Sequence, residues 1–450
     1  MSCVRNLIGC SFNPGTYKAE GNGYFIIIKI FRISINEIFA FHCFNVWYNI
    51  LSLIMEFTMF KKESKLKRFD FILIITTILL CFYGFVIINS ATMSKTAGSE
   101  PFLKTQIVAF ALGMAALFVL VLIDYDLYGS FYIPIYVLTN LLLLYTLINP
   151  VNASEWGNVR SWIAIGPIVF QPSEIAKFGV IISVAKFIDI NKDNINHPAV
   201  LLKVILFAFL PVALILMQPD LGTALVFVFF IAIMIYIAGI DKKYVLSILI
   251  IGFILLIVGI GAFFYIMEDY EQNENSPFEN IVNHYQFERI ITFFYPESDP
   301  DDLGYQVIQS KTAIGSGMLY GRGLYKGVQN QLGYLPTKET DFIFAVIGEE
   351  LGLAGGIFLL CMYAVLLYRL IRIARNAANL FGSLIVTGIT SMLLFHIFEN
   401  IGMTMGLMPV TGIPLPFISY GGTFMLVNMV SIGLCLSVGM KRGKIDLNDF

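Results

Sequence analysis

The sequence predicts an all-α polytopic membrane protein, and three observations carry that prediction. Apolar side chains make up 57% of the 450 residues and charged ones 13%, against about a quarter charged in soluble domains. The apolar residues gather into repeated runs of roughly 18 to 25 residues, the length of helix that crosses about 30 Å of hydrocarbon. Lipid offers a backbone no hydrogen-bond partner, so unbroken runs of this length are read as helices.

Residues 1–58 read as an atypical N-terminal extension. Phe25 to Phe44 is interrupted by Lys29, Arg32, Asn36 and Glu37, and the ordered regions of a secretory signal are missing. The expectation is a start at Met55 or Met59 and one membrane domain over 59–450. The basic stretch from Phe60 to Asp70 leads into spans expected at Phe69–Ile88, Phe102–Ile123, Ser130–Ile148, Pro172–Ile190, Val200–Met217, Leu221–Ile240 and Tyr244–Met267. A hydrophilic loop, 268–340, separates these from spans expected at Phe342–Leu367, Leu380–Met403 and Phe424–Met440.

Ten spans put both termini on one side. Lys61, Lys62, Lys65, Lys67 and Arg68 fall there, with Lys186, Lys192, Lys203, Lys242 and Lys243, then Arg369, Arg372 and Arg375, and finally Lys441, Arg442 and Lys444. Basic loops stay in the cytoplasm, so the termini are expected inside and the 268–340 loop outside. The turns Gly157–Lys177, Gln218–Thr223 and Pro409–Thr423 share that outer face and are dense in Gly and Pro. Irregular backbone at the membrane is tolerated where it lines a cavity, which predicts an outward-facing cleft.

Several function classes are disfavoured. Six cysteines show no CxxC pattern, and four histidines include no HExxH, which argues against zinc chemistry. The charges are sorted by loop rather than pooled, and nucleic acid is not an expected partner. The segment Gly315 to Gly333 carries six glycines with Lys326, Gln329, Asn330 and Gln331. It lacks GxxxxGK[ST] and a preceding strand, so it is a poor nucleotide loop.

Asp341 follows that loop at the start of an apolar run. Its plain reading is a helix cap; its functional reading is a general base at the outer surface, and a capping carboxylate would be both ionised and fixed. Glu349 and Glu350 are costly charges inside the next span, which marks a pathway or a pairing with a cation. Glu174 and Lys177 are three apart, an internal ion pair by one reading. With Arg160 and Trp162 nearby they form an anion and sugar site by the other. His396, Glu399 and Asn400 on the ninth span read as polar locks between helices.

Four segments then resemble one family: RSWIAIGPIVFQPSEIAK, QPDLGTAL, AIGSGMLYGRGLYKGVQNQLGYLPTKETDFIFAVIGEELG and NIGMTMGLMPVTGIPLPFISYGG. Their order is similar to that of the SEDS proteins of shape, elongation, division and sporulation, from Phe69 to Met440, and GVQNQLGYLP resembles the RodA branch more than the FtsW branch. The resemblance implies ten spans and a peptidoglycan glycosyltransferase that polymerises lipid II on the outer face of the cytoplasmic membrane during elongation. It implies a class B penicillin-binding protein as partner, with membrane lipid around both. The family aspartate matches Asp341, and the functional arginine and tryptophan match Arg160 and Trp162. The motifs add Gln171, Ser173, Glu174, Lys177, Lys326, Gln329, Gln331, Glu349 and Ser419 as candidate substrate-binding residues. Met318 stands where Gly is usual, Thr423 where Ser is common and Glu339 where His is common. A second carboxylate at Glu339 is expected to shift the proton affinity of Asp341 or help hold a divalent cation such as Mg2+ or Mn2+.

On this reading Asp341 takes the proton of an attacking sugar hydroxyl, while Arg160, Lys177 or Lys326 stabilises the leaving diphosphate. Two rival readings are a lipid II flippase and a non-catalytic scaffold for the transpeptidase. Transport is weakened because the polar groups gather on one face and no inverted repeat is visible.

Overall fold

The computed structural model describes residues 69–94, 100–150, 161–165, 168–272, 285–299 and 303–441. The N-terminal extension, with Met55 and Met59, lies outside the described residues. The long helices are α1 (Phe71–Thr92), α2 (Glu100–Leu122), α3 (Tyr132–Ile148), α4 (Pro172–Asn191), α5 (Pro198–Met217), α6 (Leu221–Ile237) and α7 (Lys242–Gln272). Two loop helices follow, α8 (Tyr285–Phe294) and α9 (Leu303–Ser316), then α10 (Ile343–Arg375), α11 (Leu380–Thr404) and α12 (Gly422–Met440).

Of these, α1, α2, α5, α10, α11 and α12 are long and apolar enough to cross a membrane, and α3 and α6 are shorter apolar helices. The chain is a multi-pass membrane protein. Burial sorts the helices into layers: the apolar windows of α11 and α12 are 72% and 78% buried, whereas that of α2 is 22% buried. α11 is therefore central, packed on α4, α6 and α10, while α2 lies along α12 and α1 along α10.

Local chemistry sets the helix ends. Asp70 accepts from Leu73 N (3.1 Å) to cap α1, Asp220 from Thr223 N (3.0 Å) to cap α6, and Asn379 from Gly382 N (2.9 Å) to cap α11. Pro172 and Pro198 occupy the first turns of α4 and α5, where a missing N–H costs nothing. At one end of the bundle Arg369 clasps Asp70 (Nη2 to Oδ2, 2.6 Å), and Lys441 bridges Asp124 and Asp126 (2.6 and 2.7 Å).

The structure departs from expectation at three places. The turn before α4 contains a two-stranded hairpin, Ile163–Ile165 paired with Ile168–Phe170, which a reading by Gly and Pro content passes over. Part of the hydrophilic loop is helical: α9 buries Leu303, Val307, Ser310 and Ala313 and packs on α10, because these residues recur at helical spacing along one face. Finally, α10 is capped by Phe342 with no side-chain bond, so Asp341 is not the cap expected of it.

Candidate active site at one end of the bundle

The turn that carries Asp341 is fastened from three sides. Asn400 of α11 donates to Asp341 O (2.7 Å) and to Ile413 O (2.8 Å). Ser419 Oγ donates to Thr340 O (2.6 Å) and accepts from Leu415 N (2.8 Å), and Tyr420 N donates to Glu339 O (2.8 Å). Gln106 of α2 holds the same Pro-rich segment, donating to Ser419 O and accepting from Gly421 N, both at 3.0 Å. Ser419, a candidate binding residue, is thus engaged in positioning the Asp341 turn.

The Asp341 carboxylate is part-exposed. Burial pushes it up to about 6; the guanidinium of Arg289 and the hydroxyl of Thr340 pull it down, and the charge of Glu339 pushes it up again. Glu339 therefore shifts Asp341 in the direction that two like charges require. The capping argument for a permanently ionised carboxylate does not hold, because the helix-end bond it relied on is absent and desolvation outweighs the cation.

Arg289 comes from α8, far away in sequence, and was not among the expected site residues. Its Nη1 donates to Thr411 O (2.9 Å), and Thr411 Oγ1 donates to Glu399 Oε1 (2.9 Å), so α11 orients the loop that orients the arginine. Arg289, Thr292 and Lys311 line a small cleft with Phe293, Met408 and Val410. The sequence signal for Arg289 was a lone cation on the amphipathic stretch YQFERIITFF, which the loop assignment hid.

The remaining candidates fall into separate groups. Gln171 Nε2 donates to Asp220 Oδ2 (3.2 Å), as does Ser161 Oγ (3.3 Å), which ties the hairpin to the start of α6; Trp162 beside them is 38% exposed. Ser173 is buried. Arg160 lies outside the described residues. Lys177 is 2% exposed; its Nζ donates to Glu174 Oε1 and to His396 Nε2, both at 2.8 Å. His396 Nδ1 lies 2.6 Å from Met392 O, which fixes the tautomer that leaves Nε2 free to accept. His396 stands about one helical turn from Asn400, so this cluster lies about 6 Å along α11 from the residue that holds the Asp341 turn. The internal ion pair is what the geometry displays.

Glu349 and Glu350 form the third group. Glu349 accepts from Gln329 N (2.8 Å) and Asn330 N (3.0 Å), and both glutamates are fully buried. Glu350 accepts from Ser90 Oγ (2.6 Å), Tyr325 N (3.0 Å), Asn330 Nδ2 (2.8 Å) and, at 3.5 Å, Gln331 Nε2. A pathway or a cation was expected at these carboxylates; the partners found are amides of the glycine-rich loop and the hydroxyl of Ser90. Gln329 and Gln331 belong to this latch, and Lys326 is exposed beside it. Gly321 makes the latch possible: at φ +78 it lies so close to α10 that an added β-carbon would stand 2.1 Å from Glu350 O.

A divalent cation at Asp341 would have Asp341 and Glu339 as its carboxylate donors. No group of three or more His, Cys, Asp and Glu suited to a metal occurs among the described residues. Side chains alone do not complete the six oxygens such an ion prefers.

These features can be set beside known proteins. Residues 70–444 match the family described as cell cycle protein, FtsW/RodA/SpoVE. The chain belongs to this family. Stage V sporulation protein E of Bacillus subtilis (strain 168) is 36% identical over 380 residues, covering 82% of this chain and 96% of that protein. Peptidoglycan glycosyltransferase MrdB of Escherichia coli (strain K12) is 33% identical over 371 residues, covering 81% and 93%. A solved structure described as "Structural coordination of polymerization and crosslinking by a peptidoglycan synthase complex" superposes with a TM-score of 0.67 at 28% identity, covering 84% of this chain and 99% of that one. In this member of the family, the turn that holds Asp341 lies close to Arg289, which with Lys311 lines the cleft.

Proposed function

We propose that Asp341 is the general base of a lipid II polymerase, in a chain that is, as a member of this family, a peptidoglycan glycosyltransferase. One observation carries the assignment of the base: the Asp341 carboxylate and the Arg289 guanidinium flank the same glycine, Gly412, with burial raising the proton affinity of Asp341 to about 6. A base is most effective when its pKa lies near the working pH, and such a group contributes about 10²- to 10⁴-fold. The acceptor sugar presents its 4-hydroxyl, which attacks the anomeric carbon of the growing strand. The new C–O bond forms as the bond to diphosphate breaks, the proton passes to Asp341, and the α-linked donor becomes a β-linkage by inversion.

The departing diphosphate gathers negative charge. Arg289 and Lys311 are the cations proposed to receive it, through the forked geometry of a guanidinium and the point charge of an ammonium. They replace Lys177 in that role, because Lys177 is buried and already committed to Glu174 and His396. The prenyl chain lies in lipid against the exposed helices. All ten long helices outside the 273–342 segment are proposed to span the membrane, with termini in the cytoplasm and Asp341 on the outer face. The basic residues at the Arg369 and Lys441 end support that orientation.

A class B penicillin-binding protein is the proposed partner, in keeping with the peptidoglycan synthase complex to which the fold is similar. A role in elongation rests on the likeness of GVQNQLGYLP to the RodA branch. The test is to purify the chain with that partner and supply fluorescent lipid II. Glycan polymer that disappears in Asp341→Ala supports the enzyme; translocation across liposomes without polymer supports a flippase, and neither activity supports a scaffold.

A further inference from the structure

The glycine-rich loop meets α10 where that helix is broken. Gly352 leaves helical geometry (φ 64, ψ −163), and the amides beyond it bond to the loop: Leu353 N donates to Met318 O (2.9 Å) and Ala354 N to Leu319 O (3.0 Å). Backbone that leaves a helix within lipid must be satisfied by protein, and here the loop supplies the acceptors.

Two rungs between α1 and α10 set the depth of this contact. At one end Asp70 holds Arg369; at the other Ser90 donates to Glu350. At 1.5 Å per residue, Asp70 to Ser90 and Glu350 to Arg369 each cover about 30 Å, the thickness of the hydrocarbon layer. The rungs thus bracket the apolar slab. Leu353 and Ala354 stand three and four residues inside the Glu350 rung, about 5 Å, and Tyr83 Oη to Gly355 O (3.3 Å) joins the two helices at the next level.

The tip paired with them carries three large side chains in succession, Met318 at 81%, Leu319 at 60% and Tyr320 at 83% exposure. Met318 O accepts from the amide of exposed Leu353, and Ile357 and Phe358 are exposed one turn further along α10. Soluble surfaces scatter such residues singly; here they are contiguous and continuous with a surface that faces lipid. We propose that Met318, Leu319 and Tyr320 form a membrane anchor, a loop tip that dips a few ångströms into the lipid at this end of the bundle. Tyr320 suits that position, since an aromatic ring with a polar end favours the boundary between acyl chains and water. Through Glu349, Glu350 and the 333–341 segment, the anchor ties the Asp341 turn to the height of the lipid surface. The inference rests on the membrane-spanning assignment and not on the glycosyltransferase reading.

The test places a reporter on the tip. Tyr320→Trp, and Met318→Trp should the first variant fold poorly, is reconstituted in bilayers whose acyl chains carry bromine, with the unaltered protein as the baseline for its own tryptophans. The added emission is expected to be blue-shifted, to lose most of its intensity to bromines near the headgroup end of the chain, and to resist aqueous iodide. Quenching by iodide without quenching by bromolipid would overturn the anchor. Emission reached by neither quencher would overturn it as well, by showing that protein covers the tip.

Discussion

Asp341 and Arg289 meet across the face of Gly412. A β-carbon on that glycine would stand 3.4 Å from Asp341 Oδ2 and 3.8 Å from Arg289 Nη2. A base and a cation drawn from opposite ends of a long loop therefore flank one small gap over residue 412, which a side chain there would fill.

Gly412→Ala tests that opening. The position has φ +74, a conformation that costs an L-residue roughly 1–2 kcal/mol, and the methyl group intrudes between the two charges. Lipid II polymerisation is expected to fall at least tenfold, with a modest drop in thermal stability; unchanged turnover would show that substrate does not use the gap.

The pH profile separates the neighbours of Asp341. Polymerisation needs the ionised carboxylate, so its rising limb is expected near pH 6. Arg289 lowers the proton affinity and Glu339 raises it, so Arg289→Ala should move the limb to higher pH and Glu339→Gln to lower pH. Limbs that move together, or not at all, would remove Asp341 from the profile.

Asp341→Asn should cost about 10²-fold or more in turnover while stabilising the fold at neutral pH. Its affinity for protons is higher folded, about 6, than unfolded, 3.8, so the native state binds the extra proton. Stability from this group is full below pH 4 and is lost as pH rises through 6. Relative to the parent, the amide should be neutral in effect at pH 4 and more stable by on the order of 1–2 kcal/mol at pH 7, allowing for partial exposure. Thermal melts in detergent at both pH values decide it.

Breaking the latch should loosen the loop before it affects chemistry. Glu349→Ala leaves the amides of Gln329 and Asn330 without their acceptors in a buried place, at about 1–3 kcal/mol each. The melting temperature should fall, and limited proteolysis should find new cuts between Gly317 and Gln331. A variant as stable and protease-resistant as the parent would contradict the latch.

The buried cluster offers a double-mutant test. Lys177→Met strands the charge of Glu174 and should cost roughly 3–5 kcal/mol. Adding Glu174→Gln should recover most of that stability, and turnover with it, if the pair only holds helices together. Recovered stability with turnover still lost would return Lys177 to the substrate.

Local pattern and through-space contact contributed differently to this protein. Hydropathy over twenty-residue windows was enough to place α1, α2 and α11, because crossing hydrocarbon is a demand on each segment separately. Motif order was enough for the family, and a carboxylate at a loop–helix junction marked Asp341 as a candidate. Glu349 and Glu350 were legible as costly charges, but three of their partners are backbone amides of another segment, which carry no residue identity.

What the sequence by itself determined was a multi-pass bundle of this family with its unusual residues gathered near one end. Only the tertiary structure decided that Arg289, rather than Lys177 or Lys326, stands beside Asp341, that Lys177 is spent on His396, and that the hydrophilic loop is partly a packed helix. The reason is physical: a segment's preference for lipid or for helix is the sum of its own residues, whereas the value of a charge depends on which distant group the fold brings within a few ångströms.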